Sequence, residues 1–344
     1  RSLTYSMNHF LLLLRWISIQ MKKRVTEQLG IRYPIIEGGM AHVGDGRLAA
    51  AVTNAGGLGQ VAVSGFSPER FREQLQIAST LTSGPLSVNV PLGKFFDYER
   101  YFPIIEEMKD HISAISLSSG DPRPHIPFLK NLGLTVMVVV ASVKHAIHAE
   151  EGGADMIVCE GVEAGGRNSP QELTLFSLLP AITANTSLPV IAAGGITNGK
   201  AMFGAFSLGA EGIQVGTRFI ATKESPAHPF YKRALVEASD EDTTIIERSI
   251  GGVNRVLLND FVKKIQTAEK RNASDIELFN YINGQRNRIA AIDGKMDDGW
   301  VHSGQGIHFI TEIASVDQVI RKYMEDFHKA YEEVKQKMNT VSIL

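Results

Sequence analysis

Eight short runs of β-branched and apolar residues, each followed by a segment of helical periodicity, occupy the stretch from Tyr33 to Phe219. That alternation commits the chain to parallel βαβ units, because parallel neighbours need a crossover long enough to return the chain to the same end of the sheet. The runs cover residues 34–37, 57–61, 86–90, 112–116, 135–140, 155–158, 189–193 and 212–215. Between them the spacing predicts helices over 46–54, 68–79, 98–109, 124–131, 142–151, 170–184 and 199–208. Several begin with Ser or Pro, which suit a first helical turn. An open doubly wound sheet usually needs about five or six strands, whereas eight strands with helices between them match a closed (β/α)8 TIM barrel. The barrel is the expected fold.

After Phe219 the pattern becomes helical and polar, with helices expected over 223–238, 254–264 and 275–281 and a long amphipathic one over 316–338. The domain reading is a barrel over 21–222, an added helical lobe over 223–315 and a C-terminal helix over 316–344 packing on the barrel. The many Lys and Glu residues of that last helix suit a solvated face. Residues 1–20 contain the apolar run Phe10 to Leu14, which is cut short by Arg15 and has no small-residue cleavage site, so it is not read as an export signal. Met21-Lys22-Lys23 begins a more ordinary amino terminus, and residues 1–20 are expected to be an upstream extension, disordered or loosely attached. No other segment reaches the roughly 18 uninterrupted apolar residues of a membrane span.

A net charge of −2 without blocks of Lys or Arg leaves no electrostatic footprint for nucleic acid or an anionic membrane, so small molecules are the expected partners. Cys159 is the only cysteine. It excludes an intrachain disulfide and a cysteine-based zinc site, fits a reducing cytoplasm, and reads as a small buried apolar residue rather than a nucleophile. No histidine and carboxylate pair has ligand spacing, so no metal is expected.

Chemistry in such barrels sits at the carboxyl ends of the strands. There the sequence places Gly38-Gly39-Met40-Ala41, then Asn89, then the loop from Glu160 through Ala164-Gly165-Gly166-Arg167 to Asn168, then Ala193-Gly194-Gly195 and Gly216-Thr217. A glycine after a strand lets backbone amides approach a phosphate with no side chain between. The last two clusters follow the seventh and eighth runs, where these barrels hold phosphate. Gly-x-Gly-x-x-Gly with its distant acid is missing, as is Gly-x-x-x-x-Gly-Lys-Ser/Thr. Flavin mononucleotide (FMN), pyridoxal phosphate and a sugar phosphate remain as candidates. None of the strand ends offers the lysine that pyridoxal phosphate needs, so flavin is preferred.

The set Pro34-Ile-Ile-Glu-Gly-Gly-Met40, Asn89-Val90, Glu160-Gly-Val-Glu-Ala-Gly-Gly166, Ile191-Ala-Ala-Gly-Gly-Ile196 and Leu208 to Phe219 resembles the nitronate monooxygenase (2-nitropropane dioxygenase) superfamily. That superfamily also contains the flavin-dependent enoyl-ACP reductases of type II. The resemblance implies FMN in the barrel mouth, with Gly39, Met40 and Ala41 beside the ring and Asn89 on its polar edge. Gly194, Gly195, Gly216 and Thr217 would hold the phosphate. Glu160, Ala164, Gly165, Ala193 and Gln214 are taken as further cofactor contacts, and Gly304-Gln305 resembles the family's Ala-Gly-Gln segment, which closes over the cofactor.

One departure stands out. Where the family carries Glu-Ala-Gly-Gly-His, this chain has Arg167, followed by Asn168. Arginine keeps its proton near neutral pH, so it cannot deprotonate a neutral nitroalkane, but a fixed cation would bind an already ionised nitronate. In the structural alternative Arg167 turns away to pair with Glu160 or Glu163. His228 and His302 are the histidines that could replace the lost imidazole; both have an ordinary structural reading, and His302, just before Gly304-Gln305, is the better placed. The catalytic candidates are therefore Arg167, Asn168 and His302. The activity expected is oxidation of alkyl nitronates with O2. The alternatives are an NAD(P)H-dependent enoyl-ACP reductase, favoured by a Lys223 to Lys232 segment that reads like the reductase loop, and an FMN-binding protein without this catalysis. A homodimer is compatible with the sequence.

Overall fold

The computed structural model describes residues 24–340 apart from Phe95, with the side chain of Thr340 also left aside; the expectation for residues 1–20 lies outside the described residues. Among the described residues, eight parallel strands run β1 (Ile35–Glu37), β2 (Gly59–Ala62), β3 (Leu86–Pro91), β4 (Ala114–Ser118), β5 (Thr135–Val140), β6 (Met156–Glu160), β8 (Val190–Ala193) and β9 (Gly212–Val215). Gly166–Arg167 forms β7, which belongs to a second sheet. The barrel strands are ordered β1-β9-β8-β6-β5-β4-β3-β2. Between β1 and β2 the circle closes through a single parallel bridge, Ile36 to Leu58. Glu37 completes that seam: its Oε2 accepts from Gln60 N at 3.0 Å, and Gln60 Nε2 returns a bond to Glu37 O at 2.9 Å.

Side chains alternate along each strand. Ile36, Ala114, Met137, Met156, Val158, Ile191 and Ala193 make one buried cluster inside the barrel. Ile35, Val88, Ile115, Val138, Ile157, Cys159 and Ile213 pack outward against the helices. The helices start where sequence chemistry dictates. Asp45, Ser67, Ser142 and Asn198 each accept an amide of the first turn, a cap worth about 1 kcal/mol. All eight strands expected from the sequence are present, and helices stand at the seven expected places, although residues 98–109 are a 3-10 turn followed by the short helix Phe102–Glu107 and the 170–184 helix spans only Leu175–Thr183. Cys159 is buried, and burial pushes its thiol up to about 12, far from nucleophilic.

The lobe differs from its expectation. Residues 254–264 do not form one helix: Asn254–Leu257 is a strand, β11, and the helix begins at Asp260 after Asn259, whose Oδ1 caps Val262 N at 2.8 Å. β11 pairs antiparallel with β10 (Thr243–Ile246) on one side and with β7 on the other. A small core forms there from Ile246, Val256, Phe261, Val262, Ile265 and Trp300. The first lobe helix starts only at Pro229, and a helix over Gly284–Ala291 was not anticipated. The final helix, Val316–Thr340, covers the barrel helix Gly199–Ser207, where a side chain at Gly199 would lie 2.0 Å from Tyr323 O.

Candidate active site

The two glycine loops lie side by side at the mouth. Gly194 and Gly195 have φ of +102° and +70°, values that L side chains rarely adopt, and a Cβ on Gly194 would stand 2.9 Å from Gly161 O. Among the described residues, the amides of Gly195, Gly216 and Thr217 bond to no backbone carbonyl in the turns, which leaves them free for an anion. Thr217 Oγ1 accepts from Gly304 N at 3.0 Å, so its own hydrogen remains available to a ligand.

The segment 303–306 clamps these loops from outside the barrel. Gln305 N donates to Glu163 O at 2.9 Å, and Thr197 Oγ1 donates to Gly306 O at 2.8 Å. Gly165 admits the strap closely, since a Cβ there would fall 2.8 Å from Gly304 N. At the other side of the mouth Gly39 lies under Asn89, where a Cβ would come within 2.3 Å of the carboxamide. Asn89 is buried and donates to Ser116 O at 3.3 Å, and Met40 Sδ lies by Gly216. Buried Ser116 Oγ and Gln214 Oε1 have no partner. Two such atoms, both carried inward by barrel strands, suit a place where a polar ligand completes the bonding. Together with the free amides at the phosphate end, these groups fit the edge and the tail of a flavin nucleotide.

The loop after β6 is held by the lobe. The register Arg167 to Asn254 and Gly166 to Arg255 makes it a strand of the small sheet. Arg255 Nε donates to Val162 O at 2.8 Å. Asn168 gives both hydrogens of its amide to Ala164 O and Gly166 O, each at 2.9 Å, so its side chain shapes the loop from within. Arg167 pairs with neither Glu160 nor Glu163. Its guanidinium lies 3.3 Å from Glu247, because the β-ladder carries it to β11, where buried Glu247 also accepts from Asn254 at 2.8 Å. The Arg167 side chain is 69% exposed, so most of its donors still face solvent.

His302 stands beside this loop. Its ring lies 3.8 to 4.0 Å from the point where a Gly166 Cβ would be. Tyr231 Oη donates to His302 O, and the Trp300 ring meets the imidazole edge-on at 5.0 Å. Burial, reinforced by Arg167 and His42, lowers the His302 pKa to about 4, so the ring is neutral at pH 7. His228, by contrast, is a helix cap whose Nδ1 accepts from Phe230 N at 3.2 Å. Ala164 and Ala193 are buried lining, and Glu160 ends β6 on the barrel's inner face. Two residues of this neighbourhood were not anticipated. Glu247 gives no local signal. His42 directly follows Met40-Ala41, holds a left-handed φ of +65°, and reaches the backbone of Gly65 and of lobe residue Gly284.

The sequence model of the nitronate monooxygenase family matches residues 22–114 and 98–326. A probable nitronate monooxygenase of Staphylococcus saprophyticus is 30% identical, over 89% of this chain and 99% of its own length. FabK from Thermotoga maritima superposes with a TM-score of 0.86 at 36% identity, covering 91% of this chain and 98% of that one. A nitroalkane oxidase from Streptomyces ansochromogenes shares the fold, with a TM-score of 0.79 at 24% identity over 90% of this chain and 99% of its own. With a strand-end site suited to a flavin and a family match across nearly the whole barrel and lobe, this chain belongs to the nitronate monooxygenase family and is a flavin-dependent oxidoreductase.

Proposed function

We propose that the protein binds FMN and oxidises alkyl nitronates, with O2 as the terminal acceptor. The observation that carries this reading is the pairing of an exposed guanidinium, Arg167, with an imidazole held neutral, His302, on the loop and lobe side of the mouth. Arg167 keeps its proton near pH 7, and an imidazole with a pKa of about 4 is a weak base. An ionised nitronate needs no base, and Arg167 supplies the positive charge that binds it and stays in place while it is oxidised. His302, as a neutral ring, orients the anion without competing for it, and Asn168 keeps the loop in shape.

Gly195, Gly216 and Thr217 would hold the phosphate, with Gly194 setting the turn. Gly39, Met40, Ala41, Asn89, Ala164, Gly165, Ala193 and Gln214 would surround the ring, and Glu160 would face it from the barrel interior. When bound, FMN supplies the electron acceptor; the strap over 303–306 keeps water from the mouth.

The similarity to FabK favours a second reading, reduction of an enoyl thioester with NAD(P)H. Anaerobic mixing of the yellow protein with propyl nitronate, NADH or NADPH separates the two. Bleaching by nitronate alone is expected. Bleaching by a nicotinamide and recovery with crotonyl thioester would replace the first reading by the second, and no bleaching at all would leave an FMN-binding protein without this catalysis.

A further inference from the structure

Glu160 sits at the inner rim of the barrel. Met156 and Val158 of β6 belong to the interior cluster and Ile157 and Cys159 to the outer one, so the strand alternation turns residue 160 inward. In register it lies beside Ala193, which lies beside Gln214, whose Oε1 is buried without a partner. Among the described residues no protein group hydrogen-bonds the Glu160 carboxylate. Of the other acids nearby, Glu163 is fully committed and Glu37 by one oxygen, its Oε1 being buried without a partner. Glu37 Oε2 takes the Gln60 amide, and both Glu163 oxygens take Leu175 N at 2.9 and 3.0 Å.

The neighbouring strands β5 and β8 bring only Val139, Val140, Ala192 and Ala193 to this point. Of the remaining titratable groups, Cys159 packs to the opposite face, Arg167 is drawn to Glu247, and His302 is neutral behind Gly166. An acid with no cation beside it, partly withdrawn from water, gives up its proton less readily. Loss of water alone pushes the Glu160 carboxyl up to about 7, and a ring covering the mouth would remove more.

We propose that Glu160 carries its proton in the flavin-loaded enzyme and offers the ring a hydrogen-bond donor in place of a negative charge. The proposal rests on the FMN reading above. A neutral donor fixed in a dry site stabilises negative charge arriving on the ring, where a carboxylate would oppose it. As the ring gains electrons, the carboxyl holds its proton more firmly. Above neutral pH, reduction therefore draws one extra proton from solvent onto Glu160.

The test uses holoprotein titrated with dithionite against redox dyes from pH 6 to pH 9, for wild type, Glu160→Gln and Glu160→Leu. The wild-type midpoint potential is expected to fall more steeply with pH above 7 than that of Glu160→Gln, which keeps a donor but cannot ionise. Glu160→Leu, with no donor, should favour the oxidised over the reduced ring at least tenfold more than wild type at pH 6. A pH jump should also shift the visible band of oxidised wild type and leave that of Glu160→Gln unmoved. Parallel potential lines for wild type and Glu160→Gln, or an unchanged ratio in Glu160→Leu, would overturn the proposal. Protein that binds no flavin would overturn the cofactor reading beneath it, a result distinct from either.

Discussion

At the β8 and β9 end of the mouth the groups left free are backbone amides, those of Gly195, Gly216 and Thr217, with the strap from Gly304 to Gly306 drawn across their loops. At the β6 end the groups on offer are side chains: Arg167 and His302, whose placement depends on a lobe far away in sequence, and Glu160, which the alternation of β6 turns inward. A grip built from amides is sensitive to an added carbon where the turn is tight, as at Gly194, yet is indifferent to most other changes. A reactive edge built from side chains can change its chemistry by one substitution. Arg167 lies at the second end, and Gly194, Gly195 and Gly216 at the first.

The largest effect should come from breaking the backbone end. Gly194→Val forces a branched side chain into a left-handed residue, against Gly161 O. The cost should be about 3 kcal/mol or more, enough to lower flavin affinity over 100-fold. Flavin content after gel filtration checks it, and a fully yellow variant would show that this turn does not shape the cofactor site.

The electrostatics of the side-chain end should appear in stability. His302 is depressed from its ordinary 6.5 to about 4, so its neutral form stabilises the fold above pH 6.5, and that contribution is lost as pH falls through 4. The difference is worth about 3 kcal/mol. Glu160 is raised from 4.5 to about 7, so the sign reverses: its contribution is complete below pH 4.5 and is lost as pH rises through 7. In urea titrations His302→Gln should gain on wild type as pH drops from 6.5 to 4, and Glu160→Gln should gain as pH rises from 4.5 to 8. Curves parallel to wild type in both variants would show that folding changes the proton affinity of neither group.

Arg167→Ala should weaken nitronate binding by about 1 to 3 kcal/mol with flavin content unchanged. Unchanged KM for nitronate would return Arg167 to a purely structural pairing with Glu247. The smallest effect is expected of Thr217→Ala, which removes the acceptor for Gly304 N and one donor at the phosphate, for about 1 kcal/mol in flavin affinity measured by fluorescence quenching.

The same division decides what could be read from the sequence. The barrel was legible because β-branched runs and helical spacing alternate without interruption, and the positive φ of Gly194 and Gly195 because consecutive glycines after a strand mark a tight turn. The lobe was not. Asn254-Arg-Val-Leu257 precedes a strongly amphipathic helix and merges with its periodicity, so β11 was hidden, and with it the ladder that fixes β7. The partner of Arg167 was hidden for the same reason: Glu247 is 80 residues away, and only the β-ladder brings them together. His302 was legible as a neighbour of Gly304-Gln305; the burial that strips its charge was not.

Gly166 and Arg167 owe their place to main-chain pairing with Arg255 and Asn254 rather than to what their side chains touch. Position 167 is thus a mounting whose fitting can be swapped: the peptide frame stays put whether it presents an imidazole, a guanidinium or something else. A lineage can therefore exchange the side chain shown at this point of the mouth through a single codon, with no remodelling of the walls around it.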